Sequence, residues 1–168
     1  DNAAAIDLAE HGATEEQRAA AACRAALLTP VSKGWGTDLG VELTSLAIQV
    51  FGGMGYVEET GVAQHWRDAR IAPIYEGTNG IQAIDLVTRK LPMEGGGAVR
   101  GYLDEMQAHA DATGPAIRGP LHEAVAALRT ATEHLLSCDD PNDVLAAAAP
   151  YLRMFGTVAG GACLARMA

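Results

Sequence analysis

Apolar residues in this chain recur three and four positions apart over nearly its whole length, and the alternating pattern of a half-buried strand is almost absent. That patterning restricts the chain to an all-α fold. Apolar residues make up 49% of the 168 and aromatics 5%. This is enough for a real core and too apolar for a disordered chain.

The spacing predicts the helices in turn. Thr14 and Gln17 form a capping-box pair, followed by Ala19, Cys23, Ala26 and Leu27 on one side. Pro30 is expected to end or bend that helix, because it lacks an N–H and crowds the preceding turn. A second helix is expected from Thr37 and Asp38, with Leu39, Leu43, Leu46 and Val50 as its core stripe, widened by Ala47 and Phe51. Gly52 and Gly53 stop it. A turn over 54–60, a short helix over 62–69 and a loop over 71–77 containing Pro73 follow. Thr78 is placed to cap a helix with Ile81, Ile84, Thr88 and Leu91 on one face.

The glycine run within residues 92–101 reads as a hinge, since consecutive glycines lose too much backbone entropy inside an element. Residues 1–92 are therefore expected to form one helical bundle, 93–101 a hinge and 102–168 a C-terminal extension. In the extension, Val99, Leu103, Met106 and Ala110 mark a helix that begins at the hinge. Leu121, Val125, Leu128 and Leu135 mark the next. Asp140 and Pro141 open the last, which Pro150 is expected to kink. Gly156 and Gly160 would let a neighbouring helix approach closely. The architecture read from these elements is an up-and-down helical bundle with a smaller C-terminal helical appendage.

A net charge of −9 argues against nucleic-acid binding, which needs a basic face. Cys23, Cys138 and Cys163 are far apart and odd in number, which fits a reducing compartment better than a disulfide framework. No apolar run approaches the roughly 20 residues of a membrane span. The chain begins without Met, so a piece of a longer protein, or a processed product, is expected. Metal-ligand pairs of the di-iron type are missing; Glu105 and His109 lie one turn apart but stand alone, so no metal is expected. Arg67, Asp68 and Arg70 are expected in structural ion pairs.

Residues 71–82, IAPIYEGTNGIQ, are unusual. A single carboxylate, Glu76, sits in an otherwise apolar loop just before a helix. Desolvation would raise its pKa toward that of a useful base, and the positive end of the following helix would oppose this. The residues alone leave both readings open, a general base or a member of the helix N-cap region.

Residues 47–91 combine Gln49, Gly52, Gly53, Gly55 and Tyr56 with Arg67-Asp68-Ala69-Arg70-Ile71 and Ile74-Tyr75-Glu76-Gly77-Thr78. In order and spacing this resembles the carboxy-terminal helical domain of FAD-dependent acyl-CoA dehydrogenases. The stretch Thr29-Pro30-Val31-Ser32-Lys33-Gly34 also looks like that family, and residues 100–168 look like the extra helical extension of a larger subgroup.

The resemblance implies α,β-dehydrogenation of an acyl-CoA thioester. Glu76 matches the base that takes the α proton while hydride passes from the β carbon to FAD. Gly77 matches a position near the substrate's thioester end, and Tyr75 either lines the acyl pocket or only packs. Thr78, Asn79 and Gly80 match positions that contact FAD, although many relatives carry Glu or Gln where Gly80 stands. Gln49, Gly52 and Gly53 match residues that reach the FAD of a neighbouring subunit. The resemblance further implies a homo-oligomer, dimer or tetramer, an electron-transfer flavoprotein as acceptor, and a cytoplasmic or mitochondrial-matrix setting. The family's amino-terminal helical domain and middle β-domain have no counterpart in this sequence, so the chain alone is expected neither to retain FAD nor to turn over substrate. The rival reading is a non-catalytic helical interaction or oligomerisation module on the same scaffold.

Overall fold

A computed structural model describes residues 1–167, and among these no strand is present. A short helix, α1 (Asn2–His11), leads into α2 (Glu15–Phe51), which runs 37 residues. At 1.5 Å per residue α2 is about 55 Å long. Its start is the predicted capping box: Gln17 N–H donates to Thr14 Oγ1 at 3.1 Å and Thr14 N–H donates to Gln17 Oε1 at 3.3 Å.

The expected break at Pro30 does not occur, and the two helices predicted on either side of it are one. Pro30 is buried beside Leu27, Leu28 and Val31, which all enter the core. Burial of each such side chain is worth about 1.5–3 kcal/mol, which together exceeds the roughly 3 kcal/mol a proline costs inside a helix. Tertiary packing thus overrides local propensity.

The far half of α2 departs from expectation too. No α2 residue beyond Gly34 is buried, and Leu43, Leu46 and Val50 are 54%, 53% and 84% exposed. The stripe has its helical period, but nothing among the described residues covers it. A single turn, α3 (Gly53–Tyr56), and α4 (Val62–Ala69) fold back against this arm. Gly55 permits the turn, since a Cβ there would lie 2.5 Å from the Ile48 carbonyl oxygen.

Next comes α5 (Asn79–Asp85), continued by a π-helical turn (Leu86–Lys90) in which Leu91 N–H reaches back to Leu86 O at 2.9 Å. Its buried face is Ala83, Leu86, Val87 and Leu91. The expected face was wrong except at Leu91: Ile81 and Ile84 are exposed, and so is Thr88. Pro92 then opens a tight turn, Met93–Gly96, with Glu94, Gly95 and Gly96 at φ 53, 63 and 84. The expected hinge is shorter than read, because residues 97–101 form the first turn of α6 (Gly97–Ala112). Gly96 is buried, and a Cβ there would meet Leu136 at 2.9 Å.

Helices α7 (Pro115–Ser137) and α8 (Pro141–Met167) complete the chain. All eight predicted apolar positions of α6 and α7 are buried. One continuous core joins α2, α5, α6, α7 and α8, with Phe155 at its centre stacked on Tyr102 at 5.9 Å and edge-on to Tyr151 at 6.1 Å. Arg24 lies over the Tyr102 ring, 4.9 Å from its centroid, and makes a two-pronged ion pair with Glu105 at 2.6 and 2.7 Å. Glu105 therefore serves α2–α6 packing.

Candidate functional site

The Glu76 loop leaves α4 through a series of turns in which Ile74 and Tyr75 N–H groups return to Ile71 O at 3.0 and 3.3 Å. Asn79 N–H then donates to Pro73 O at 3.1 Å, closing the loop where α5 begins. Between these bonds Glu76 stands at φ 53 and Gly77 at φ 84, two successive left-handed residues. For glycine that conformation is free; for glutamate it costs about 1–2 kcal/mol.

Both carbonyls of this turn are tied down. Gln82 Nε2 donates to Glu76 O at 3.3 Å, and Lys33 Nζ, from α2, donates to Gly77 O at 2.7 Å. Lys33 also donates to Asn79 Oδ1 at 2.9 Å. Asn79 Nδ2 in turn lies 2.9 Å from Gly34 O, 2.9 Å from Thr37 Oγ1 and 2.7 Å from Asp38 Oδ1. Four residues of α2, Lys33, Gly34, Thr37 and Asp38, thus grip the start of α5 through one amide side chain.

The carboxylate and the N–H of Glu76 are left unengaged. Its carboxylate makes no hydrogen bond or ion pair among the described residues, and its N–H finds no acceptor there. The side chain is exposed, and so are Ile71, Ile74, Tyr75 and Ile81 around it in sequence, each more than half accessible. An exposed carboxylate among exposed apolar side chains is the composition of a surface made to be covered.

Thr78 occupies the N-cap position of α5 without a side-chain cap bond, so the expected capping role goes unfilled. Gly80 is exposed, and a Cβ there would meet only Thr78 Oγ1, at 3.8 Å. Gln49 is exposed near the end of α2, which Gly52 terminates at φ 61 by donating its N–H to Gln49 O at 3.1 Å. The candidate residues fall into two groups. Tyr75, Glu76, Gly77, Thr78, Asn79 and Gly80 share one loop and helix start, anchored on Lys33. Gln49 sits 16 residues beyond Lys33 on α2, about 24 Å along the axis, and Gly52 and Gly53 follow at and just past the helix end.

Glu76 lines neither of two cavities among the described residues. A groove of about 500 Å³ between α2, α5 and α8 is lined by Trp35, Asp38, Asn79, Gly80 and Arg153, among others. A second, of about 460 Å³, lies by His109, Thr113 and Arg166. No group of three or more His, Cys, Asp or Glu among the described residues could hold a metal ion. Arg67 lies 3.5 Å from Glu58 in the expected kind of ion pair, while Asp68 accepts from Gln64 at 2.6 Å. No helix among the described residues is long and apolar enough to cross a membrane.

Sequence reasoning passed over Lys33. Its stretch, residues 29–34, looks like the family, but a single lysine within a helix looks like a solvated surface residue. Only the fold brings it across 44 positions to Gly77.

The fold and loop define a helical domain that offers an unengaged carboxylate on a strained, pinned turn. The chain belongs to the acyl-CoA dehydrogenase family. The family model "Acyl-CoA dehydrogenase, C-terminal domain" matches residues 3–91, and "Acetyl-CoA dehydrogenase C-terminal like" matches residues 102–168. The 3-methylmercaptopropionyl-CoA dehydrogenase of Ruegeria pomeroyi is 45% identical over 164 residues, covering 93% of this chain and 28% of that protein. The butyryl-CoA dehydrogenase of Syntrophomonas wolfei is 37% identical over 101 residues, covering 60% of this chain and 17% of the relative. The chain therefore spans under a third of the length of these relatives. The solved structure of the Bd2924 apo-form shares the fold at a TM-score of 0.72 and 23% identity, covering 99% of this chain and 29% of that one.

Proposed function

We propose that this chain is the base-bearing helical portion of an acyl-CoA dehydrogenase, with Glu76 as the residue that takes the α proton of the bound thioester. The observation that carries the reading is the state of Glu76. It is held at φ 53 with its carbonyl tied to Gln82, while its carboxylate and N–H are both unengaged.

The α proton of a thioester is too weakly acidic for a carboxylate in water at neutral pH. Two effects of this loop close that gap. The free N–H of Glu76 can donate to the thioester oxygen and stabilise the enolate as it forms. Covering the loop by the rest of the protein and the acyl chain takes the carboxylate out of water, so that taking up a proton removes a poorly solvated charge. Exposed Ile71, Ile74 and Tyr75 supply the apolar surroundings for that covering. Gly77, without a Cβ, lets the thioester approach the backbone.

The surface also fits FAD. Thr78 and Gln49 carry polar side chains that make no hydrogen bonds among the described residues, and Gly80, Gly52 and Gly53 keep the backbone open. FAD, when bound, accepts the hydride that leaves the β carbon. Thr78 and Gly80 contact it beside Glu76. Gln49, near the far end of α2, and Gly52 and Gly53 just past it would serve the flavin of a neighbouring copy in a dimer or tetramer. An electron-transfer flavoprotein as acceptor, a cytoplasmic or mitochondrial-matrix location, and inactivity of this chain when isolated go with this function. The names of the relatives make short acyl-CoA thioesters the first substrates to assay.

The test is an assay of the full-length protein, with an artificial electron acceptor and a panel of acyl-CoA thioesters. Dye reduction with at least one thioester is expected. A flavin-loaded full-length protein that reduces no dye with any of them would remove the dehydrogenase reading.

A further inference from the structure

We propose that Lys33 and Asn79 are the positioning residues of the Glu76 loop, and that Asn79 acts this way instead of contacting the cofactor. The inference rests on Glu76 being the base. Two successive residues at positive φ, one of them a glutamate, do not hold themselves in place. Within the loop only the Asn79 N–H to Pro73 O bond closes the turn. The orientation of Glu76 is otherwise set by its two flanking carbonyls.

Of those two ties, the one from Gln82 is long, at 3.3 Å, and comes from the same local segment. The one from Lys33 is short, at 2.7 Å, charge-assisted, and comes from the long helix at the base of the domain. Lys33 is itself oriented by Asn79 Oδ1, and Asn79 by Gly34, Thr37 and Asp38. The Asn79 amide has both hydrogens and its oxygen in use within the chain, and its backbone N–H goes to Pro73. None of its N–H donors is left free for a ligand. Loop and helix are therefore linked as a rigid unit, in which loss of the ammonium frees the Gly77 carbonyl and lets the carboxylate wander. A displacement of about 1 Å of a catalytic group can cost 100-fold in rate.

The experiment uses the flavin-loaded full-length enzyme with Lys33→Met, Lys33→Arg, Asn79→Ala and, in parallel, Glu76→Gln. Lys33→Met and Asn79→Ala are expected to lower kcat by about 10- to 100-fold, with KM for acyl-CoA, flavin content and melting temperature little changed. Lys33→Arg, which can still donate to Gly77 O, is expected to recover most of the rate. Unchanged kcat in both Lys33→Met and Asn79→Ala would overturn the inference. So would a joint fall in kcat, substrate affinity, flavin content and Tm that Lys33→Arg does not repair, because that pattern marks general structural damage. A fully active Glu76→Gln enzyme would instead remove the base itself, an outcome separate from either result at Lys33.

Discussion

Trp35 of α2 lies against Gly156 and Gly160 of α8, so closely that a Cβ built on Gly156 would overlap the indole and one on Gly160 would stand 2.9 Å from Cη2. The contact joins the helix that carries Lys33 to the last helix of the chain. Gly156→Ala gains a few tenths to 1 kcal/mol of helix propensity, but it must displace a large rigid ring. Overpacking of this kind costs about 1–3 kcal/mol. A lower midpoint is expected in thermal or urea unfolding, with a smaller effect for Gly160→Ala. A Gly156→Ala chain as stable as the parent would show that the indole can swing away freely.

A buried hydroxyl pair offers a second test. Thr132 Oγ1 donates to Leu128 O at 2.8 Å, so the 2.7 Å bond between Thr132 and Tyr151 runs from the Tyr151 hydroxyl to Thr132. The two deletions are therefore unequal. Tyr151→Phe leaves the threonine proton satisfied and is expected to cost about 0.5–1.5 kcal/mol. Thr132→Val strands a buried phenol donor and is expected to cost about 1–3 kcal/mol. Equal losses in denaturant unfolding would contradict this donor assignment.

Tyr102 makes stability fall at alkaline pH. Burial, aided by Cys163 and opposed by Arg24 over its ring, raises its pKa from 10.0 to about 12. Burial also raises that of Tyr151. The unfolded chain gives up the Tyr102 proton near pH 10 and the folded chain holds it to about 12. The contribution is whole below pH 10 and is lost as pH rises through that window. Tyr102→Phe is expected to flatten the decline between pH 10 and 12 measured by urea unfolding. A slope identical to that of the parent would rule out Tyr102 as its source.

The N-terminal capping box, the termination at Gly52, the α4 helix and the buried faces of α6 and α7 were legible in the sequence because each depends on neighbours three or four residues apart. So was the pair Gly156 and Gly160, although nothing in the sequence named Trp35 as what fills the gap. Pro30 misled because its cost is local while its compensation, burial beside Leu27 and Val31, is not. The Leu43, Leu46 and Val50 stripe misled differently: its period announces a buried face, but not which chain buries it. At the candidate site the Glu76 segment stood out as a lone carboxylate among apolar residues. The clamp of Lys33 and Asn79 did not, since a bond across 44 positions leaves no periodic trace.

The isolated 168-residue chain is expected to purify without flavin absorbance and to leave acyl-CoA unoxidised, since Glu76 is open to solvent and lines neither cavity. Stoichiometric flavin carried through purification of this chain would contradict that expectation.

The central claim is that Glu76 removes the α proton, and its most direct measurement is turnover of the full-length enzyme carrying Glu76→Gln, with flavin content checked by absorbance. The amide keeps the size and the backbone N–H of Glu76 but cannot accept the proton. A fall of about two to four orders of magnitude in kcat with flavin still bound is expected. Turnover at the parent rate would show that the proton goes elsewhere.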